Sequence, residues 1–237
     1  MILIDYDIVV IEKQDIFTIM GGRVKIYRGP YNLTSDAVWL AAFIDGAPKT
    51  VLDVGTGTGA VALCLLSRMP NIKMTVMDIS ETMLNAARKN FELNNQNAEF
   101  INADIMSWHT SRTFDLVITN TPYLNGTPAA HNAHHIVDLG KWAKKCIARV
   151  KPNGIFATIV DATNIGPIIA EMAQHCGDFH ILPLFSTKDT AERVLLSCRV
   201  GRAPTTTLYS GLSMNCDGVL RDGLPVSGLI DKMNHKR

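Results

Sequence analysis

Hydrophobic and polar positions follow two alternating periods along most of the chain. Short apolar runs typical of buried strands, such as VLDV and IKMTVMD, are followed by segments with helical spacing, AVALCLLSR and SETMLNAARKNFELNN. The order continues through AEFIN, FDLVITN, a helix over roughly 136–150, the KPNG turn, GIFATIV and a helix near 165–175. Strands that alternate with helices predict a mostly parallel sheet covered on both faces.

Two further strands, DFHILPL and ERVLLSCRV, end this region, and only STKDTA connects them. This connection is too short for a parallel crossover, so we predict an antiparallel hairpin at one edge of the sheet. The pattern as a whole predicts a doubly wound α/β fold around a seven-stranded sheet.

The segments that flank this region have other patterns. Residues up to about Tyr27 alternate around Gly21-Gly22, which predicts a small β-hairpin, and a helix capped by Thr34 or Ser35 follows. After Gly201 the periodicity is weak, and we expect an extended or partly disordered tail. The predicted organisation is a hairpin appendage over 1–33, one cofactor-binding domain over 34–203 and a C-terminal tail over 204–237.

Composition limits the functions that the chain can have. Its 237 residues are 47% hydrophobic and 19% charged, enough for one sizeable core. A formal net charge of +1 provides no overall attraction to nucleic acid, so binding of that kind requires a local basic patch. The five cysteines are scattered and odd in number, which favours a reducing, cytoplasmic setting without disulfides or zinc. The N-terminus has no basic leader, and we expect neither secretion nor membrane insertion.

A glycine-rich loop follows the first core strand in VLDVGTGTGAV. Gly55, Gly57 and Gly59 leave out the Cβ atoms that would block both a sharp turn and a close approach to a ligand. Asp78 ends the second strand, where a carboxylate can accept hydrogen bonds from a ribose diol. The loop and this carboxylate predict a cofactor that contains a ribose, and a dinucleotide remains possible because Ala60 completes a dinucleotide-type pattern.

Asp53 favours one cofactor over the other. A carboxylate two residues before the first glycine can organise the loop amides or meet an ammonium group, but it is unfavourable beside a pyrophosphate. S-adenosylmethionine carries the ammonium group and no phosphate. Farther along, Asp104 lies where it could accept the amine of an adenine, although a turn-forming aspartate is an equally good interpretation.

The fourth strand leads directly into Asn120-Thr121-Pro122-Tyr123. The Asn120 oxygen and the Thr121 carbonyl can each accept one N–H of an –NH2 group, while Tyr123 stacks on a flat substrate. Such an amine needs no strong base, since its proton becomes acidic once the nitrogen is alkylated. Catalysis then consists mainly of orientation, without a metal or a covalent nucleophile.

These residues together resemble a class I methyltransferase of the branch that carries an Asn-Pro-Pro-Tyr motif. Within it, GGRVKIYRGPYNLTSDAVWLAAF and GDFHILPLF…AERVLLSCRVGRAP are similar to the bacterial tRNA(Val) adenine-N6 methyltransferase group. The resemblance covers roughly 21–204. It implies that Asn120 binds the target amine, that Tyr123 stacks on the flipped adenine, and that Gly55, Gly57, Asp78 and Asp104 hold S-adenosylmethionine. We predict that Thr121 and Pro122 complete the catalytic group, and that the cofactor also contacts Asp53, Thr56, Gly59, Ile79 and Asn120.

Several positions depart from this pattern or have two interpretations. Thr121 replaces the first proline, which keeps the carbonyl but loses rigidity, and Asn32 stands where related sequences often carry arginine. Asp36 either approaches the methionine end of the cofactor or caps its helix. The three histidines after the tetrapeptide, His131, His134 and His135, are more typical of a polar loop than of a metal site. Six residues give the C-terminal part a basic surplus for RNA: Arg193, Arg199, Arg202, Arg221 and the terminal Lys236-Arg237 pair.

Three functions remain open from the sequence. An RNA adenine methyltransferase, acting on tRNA through a local basic patch, is the first. A protein-glutamine methyltransferase shares the tetrapeptide, but the glutamine enzymes carry a long helical domain before the glycine loop, whereas 50 residues with a hairpin pattern precede it here. The third is a binding module that retains the cofactor without turnover, a reading that Thr121 leaves open.

Overall fold

The computed structural model of the chain describes residues 15–28, 35–121, 138–187 and 189–234. The strands within them are β1 (Ile16–Ile19), β2 (Val24–Tyr27), β3 (Thr50–Val54), β4 (Lys73–Asp78), β5 (Glu99–Asn102), β6 (Phe114–Asn120), β7 (Val150–Asp161), β8 (Cys176–Phe185), β9 (Arg193–Val200), β10 (Thr206–Leu208) and β11 (Leu212–Ser213). The helices are α1 (Asp36–Phe43), α2 (Ala60–Arg68), α3 (Glu81–Leu93), α4 (Leu139–Ile147), α5 (Ile165–His175), α6 (Asp217–Leu220) and α7 (Val226–Asn234).

The central sheet has the strand order β10-β8-β9-β7-β6-β3-β4-β5. Strands β3 to β7 pair in parallel, while β9 is antiparallel to both β7 and β8. The doubly wound fold, its seven core strands and its reversed hairpin are therefore confirmed. Because β3, β4 and β6 are neighbours, their carboxyl ends bring the glycine loop, Asp78 and Asn120 to one edge of the sheet.

Each face of the sheet is covered by a hydrophobic cluster. One contains the apolar residues of α1 and α2 together with Leu84 and Phe91 of α3, and the other contains those of α4 and α5. Trp39 on α1 is completely buried, and so are Leu63 on α2 and Leu116 on β6 to within 1%. These layers hold the functional edge rigid from both sides.

The N-terminal strands form the predicted antiparallel hairpin, with Gly21 and Gly22 at positive φ in the turn. The hairpin docks on α3, where the side-chain oxygens of Asn90 and Asn94 accept hydrogen bonds from the backbone N–H groups of Tyr27 and Lys25 at 2.9 and 2.8 Å. The remainder of the predicted appendage, residues 1–14 and 29–33, lies outside the described residues.

Three local predictions from the sequence are corrected. The KPNG turn lies inside β7, where Asn153 takes a φ of +63° and a register shift opposite β6 absorbs the extra residues. Helix α4 ends at Ile147 because β7 begins at Val150. Of the two predicted caps of α1, Ser35 makes no side-chain hydrogen bond of this kind, and Thr34 lies outside the described residues.

The C-terminal tail also differs from the extended or partly disordered segment that we expected. Strands β10 and β11 both pair in parallel with β8, so this strand is not the edge. Val219 of α6 and Val226 of α7 are buried in the core, and the indole of Trp39 donates to the carbonyl of Met214 at 3.1 Å. A few apolar residues anchor the tail, although their spacing is too irregular to predict an element.

The described residues offer neither a membrane-spanning helix nor a cluster of metal ligands. No helix in this part of the chain has the length and the apolar character needed to cross a bilayer. The described ranges also contain no group of three or more histidine, cysteine or acidic side chains that could hold a metal ion. All five cysteines are free thiols, and four of them are buried.

Candidate active site

The glycine loop turns from β3 into α2 through three residues in the left-handed region, with φ of +70° at Gly55, +55° at Gly57 and +84° at Gly59. A Cβ at Gly59 would lie 2.9 Å from the ring of Phe91, whereas a Cβ at Gly57 would meet nothing within 4 Å. Gly59 is therefore required by packing inside the protein. Gly57 instead leaves space on the open side of the loop, where a ligand can approach the backbone.

Asp78 binds the glycine loop from the end of the neighbouring strand. One carboxylate oxygen accepts from the Gly57 N–H at 2.8 Å and the other from the Ser80 N–H at 2.9 Å. Each oxygen keeps a second lone pair, so the half-buried carboxylate still has acceptor capacity for a diol. Ile79, the next residue, is 71% exposed and presents an apolar surface at the same edge.

Asp53 lies beneath the loop and is 1% exposed. Its Oδ2 accepts from the Thr56 hydroxyl at 2.7 Å, while its Oδ1 is buried without a hydrogen-bond partner among the described residues. Burial raises the pKa of Asp53 to about 7, and the nearby Asp78 carboxylate adds to the rise. An unpaired buried oxygen of this kind is unfavourable, which makes it a natural partner for a cationic group.

Asp104 takes the turn-forming role that was one of its two interpretations. Its Oδ1 accepts from the Met106 N–H at 2.9 Å, and its backbone carbonyl accepts from the Ser107 N–H at 3.0 Å. The residue stands beyond β5, beside β4 at the edge that carries Asp78. A contact between Asp104 and an adenine stays a prediction.

Asn120 is the last residue of β6 and is paired in register with Ile159 of β7. Its Oδ1 is buried and has no hydrogen-bond partner within the described part of the chain. Thr121, which is 4% exposed, donates both its N–H and its hydroxyl to the Ile159 carbonyl, at 3.4 and 3.1 Å. A proline can make neither of these bonds, so they offset part of the rigidity that we expected Thr121 to lose.

Several predicted positions lie outside the described residues, so their roles stay predictions. They are Asn32, Thr34, Pro122, Tyr123, His131, His134, His135 and Lys236-Arg237.

Asp36 takes part in an ion-pair network that the sequence did not predict. Its side chain is 2% exposed and accepts from Arg193 Nε at 3.1 Å, and Arg193 also donates to Asp161 at 3.2 Å. The network joins the first turn of α1 to the end of β7 and the start of β9. Arg193 is therefore a partner of two carboxylates rather than an open RNA-binding cation, which corrects its place in the predicted basic patch.

The other C-terminal arginines are also engaged. Arg199 pairs with Asp178 at 3.2 Å, and Arg221 pairs with Asp222 at 2.9 Å. Arg202 is exposed. These pairs reduce the local surplus of positive charge, and a basic patch for RNA stays a prediction.

Sequence reasoning missed two side chains that support the site. Asn90 on α3 donates to the Thr58 carbonyl in the glycine loop at 2.9 Å while also accepting from Tyr27 in the hairpin. Trp142 on α4 lies against Gly55, and its indole N–H donates to Thr119 at 3.3 Å. A single tryptophan near the start of an amphipathic helix is a weak signal, because most such residues belong to the core.

Comparison with known proteins places the chain in a family. Residues 35–179, more than half of the chain, match the methyltransferase small domain. Two relatives carry the name tRNA1(Val) (adenine(37)-N6)-methyltransferase: one from Glaesserella parasuis is 28% identical over 139 residues, and one from Vibrio cholerae is 31% identical over 157 residues. These matches cover 54% and 62% of this chain and 58% and 65% of the respective relatives, so the chain spans less than two thirds of their length.

Two further comparisons concern another substrate and the fold. A release factor glutamine methyltransferase from Lactococcus lactis is 39% identical over 74 residues, 31% of this chain and 27% of that protein. The crystal structure of a predicted O-methyltransferase from Agrobacterium tumefaciens superposes with a TM-score of 0.65 at 21% identity, covering 84% of this chain and 95% of that one. This likeness shows that the two proteins share the class I methyltransferase fold.

Proposed function

Because the chain belongs to the methyltransferase small domain family, we propose that it transfers a methyl group from S-adenosylmethionine to the exocyclic N6 amine of an adenine in tRNA. The observation that carries this proposal is the Asn120 side-chain oxygen, which is buried without a hydrogen-bond partner among the described residues. A buried acceptor without a partner costs free energy, about 1–3 kcal/mol. An amine N–H of the substrate satisfies it.

The residues at the sheet edge fit the cofactor. The open side of Gly57 permits close approach, Asp78 has lone pairs for a ribose diol, Ile79 offers an apolar surface for a flat ring, and the free oxygen of Asp53 suits an ammonium group. When bound, S-adenosylmethionine supplies an electrophilic methyl group on a positively charged sulfur. Thr56, Gly55 and Gly59 shape the loop that holds it.

The chain's own residues then orient the amine. Asn120 Oδ1 accepts one N–H, and the Thr121 carbonyl accepts the other, which fixes the direction of the nitrogen lone pair. Hydrogen bonds from Thr121 to Ile159 hold this backbone in place. No general base is needed, because the nitrogen loses its proton readily after alkylation. The residues act by orientation, which is a large source of rate acceleration in displacements.

Adenine in RNA is the favoured substrate because the relatives named for tRNA adenine match over 139 and 157 residues. The second candidate is the glutamine side-chain amide of a release factor, for which the support is a shorter match of 74 residues at higher identity. The Asn120 oxygen and the Thr121 carbonyl can accept hydrogen bonds from either group, the adenine amine or the glutamine amide. If the substrate is tRNA, the protein acts in the cytoplasm, and Tyr123 stacks on an adenine turned out of its helix.

The experiment that tests this proposal uses labelled S-adenosylmethionine with unmodified tRNA, release factor or buffer, followed by digestion and identification of the labelled product. The proposal predicts label in N6-methyladenosine with tRNA alone. Label in N5-methylglutamine would show that the substrate is the second candidate, the release factor glutamine. Absence of label in all three, together with measurable binding of S-adenosylhomocysteine, would identify a binding module without turnover.

A further inference from the structure

Trp142 lies between the glycine loop and the end of β6, the strand that carries Asn120. It lies in the first turn of α4, where its backbone N–H donates to the Asp138 carbonyl at 2.8 Å and the Asp138 carboxylate caps the helix. Atoms Cζ2 and Cη2 of its indole are 3.5 and 3.7 Å from the position of a Cβ on Gly55. The ring therefore packs against the first residue of the glycine loop.

The polar end of the same ring reaches the strand that carries Asn120. The indole N–H donates to Thr119 Oγ1 at 3.3 Å, and this hydroxyl donates to the Val54 carbonyl at 2.8 Å. Val54 immediately precedes Gly55, and Thr119 immediately precedes Asn120. One side chain thus contacts the residue that opens the cofactor loop and also bonds the residue before the amine acceptor.

Thr119 is suited to transmit this contact because it cannot move independently. It is completely buried, and its backbone carbonyl accepts from the Thr158 hydroxyl at 2.8 Å. A hydroxyl has a single proton, so its donation to Val54 leaves the lone pairs to accept from the indole. Because the indole N–H can only donate, it fixes the direction of both hydrogen bonds, from Trp142 to Thr119 and from Thr119 to Val54.

From this geometry we propose that Trp142 is a positioning residue that sets the distance between the cofactor loop and the amine-binding strand. The inference rests on the proposed function, since it assigns Trp142 a role at the same site. It assigns no chemical step to the indole. A phenyl ring at this position would keep most of the packing but lose the bond to Thr119.

The test compares two identical substitutions, Trp142→Phe and Trp39→Phe. Each removes one indole hydrogen bond, but the Trp39 bond goes to Met214 in the tail. Binding of S-adenosylhomocysteine is measured by calorimetry and by tryptophan emission. We expect Trp142→Phe to weaken binding about fivefold, the equivalent of one ordinary hydrogen bond, and to abolish the emission change. Trp39→Phe should lower the melting temperature while preserving both the affinity and the emission change.

Substitutions of Thr119 test whether the weaker binding results from loss of the hydrogen bonds that run from Trp142 through Thr119 to Val54. Thr119→Ser keeps the hydroxyl and should bind like the wild type, whereas Thr119→Val should weaken binding. Adding Trp142→Phe to Thr119→Val should weaken the affinity for S-adenosylhomocysteine by less than about a further twofold, because both substitutions remove the same hydrogen bond. If Thr119→Val fails to fold, the affinities of Trp142→Phe and Thr119→Ser, each compared with the wild type, still test the proposal.

Two results would overturn the inference separately from the proposed function. Unchanged affinity in Trp142→Phe would show that the indole does not position the loop, although the wild type binds the cofactor product. Full additivity of the two substitutions would show that Trp142 and Thr119 act independently. Failure of the wild-type protein to bind S-adenosylhomocysteine would overturn the proposed function and this inference together.

Discussion

At the scale of single residues, the site contains two buried side-chain oxygens without hydrogen-bond partners in the described part of the chain, one on Asp53 and one on Asn120. Buried polar atoms in native proteins nearly always have partners, so such exceptions concentrate at functional sites. The sequence identified both residues from their place beside a glycine loop or at a strand end. It could not show that Asp53 is fully buried under Thr56, because that depends on how α2 packs over the loop.

The buried state of Asp53 predicts an unusual dependence of stability on pH. Because its pKa rises from 3.8 to about 7 on folding, the folded protein holds a proton on Asp53 that the unfolded chain releases between these values. Stability from this group is complete below the lower value and declines as pH rises, by up to about 1.4 kcal/mol per pH unit. Urea unfolding of the wild type and Asp53→Asn from pH 4 to 8 should show the wild type losing stability relative to the variant. A difference in stability between the wild type and Asp53→Asn that stays constant with pH would contradict the raised pKa of Asp53.

At the scale of elements, the alternation of strands and helices was sufficient to predict the sheet and its reversed hairpin. The central strands β3, β4 and β6 are buried on both faces, which gives each a nearly continuous apolar run that sequence alone reveals. The tail strands could not be predicted, since β10 has three residues that are all exposed and β11 has only two residues, one of them exposed. KPNG was wrong as a turn because pairing on both sides of the bulge continues β7 through it.

The glycine loop offers a matched pair of substitutions at this scale. Gly59→Ala brings a Cβ to 2.9 Å from Phe91 at a φ of +84°, so we expect a loss of about 2–4 kcal/mol in the free energy of unfolding. Gly57→Ala meets no protein atom within 4 Å and should cost only about 1–2 kcal/mol of backbone strain.

Cofactor binding should separate the two variants in another way. Gly57→Ala points its methyl group into the open side of the loop, so its folded form should bind S-adenosylhomocysteine far more weakly than the wild type. Chemical unfolding and calorimetry measure the two quantities. Wild-type affinity in Gly57→Ala would show that the cofactor does not approach this side of the loop.

At the scale of the whole molecule, residues far apart in sequence hold the active edge together. Arg193 joins Asp36 and Asp161, and Asn90 joins the hairpin to the glycine loop. Such contacts leave no periodic signal, which explains why Arg193 was predicted as an RNA-binding residue and Asp36 as a cofactor contact or cap. The class of fold and the candidate cofactor-binding residues can be predicted from local patterns, whereas the scaffold that orients them cannot.

The Arg193 network predicts a contrast between two ion pairs. Arg193→Met removes a charged partner of the Asp36 carboxylate, which is 2% exposed, and should lower the free energy of unfolding by about 3–5 kcal/mol. Arg112→Met breaks a pair with Glu99 whose side chains are 45% and 51% exposed, and should cost less than about 1 kcal/mol. Urea unfolding at pH 7 measures both. Equal losses in the two variants would show that the network does not hold the active edge.

The central claim is that the Asn120 side-chain oxygen receives the amine of the substrate. Its most direct test is Asn120→Ala, assayed for methyl transfer to tRNA and, separately, for binding of S-adenosylhomocysteine, with the exposed Asn71→Ala as the matched control. The control should behave like the wild type in both assays. We predict that Asn120→Ala abolishes transfer while cofactor affinity stays within several-fold of the wild type. Transfer at the wild-type rate, or loss of cofactor affinity as large as the loss of transfer, would contradict it.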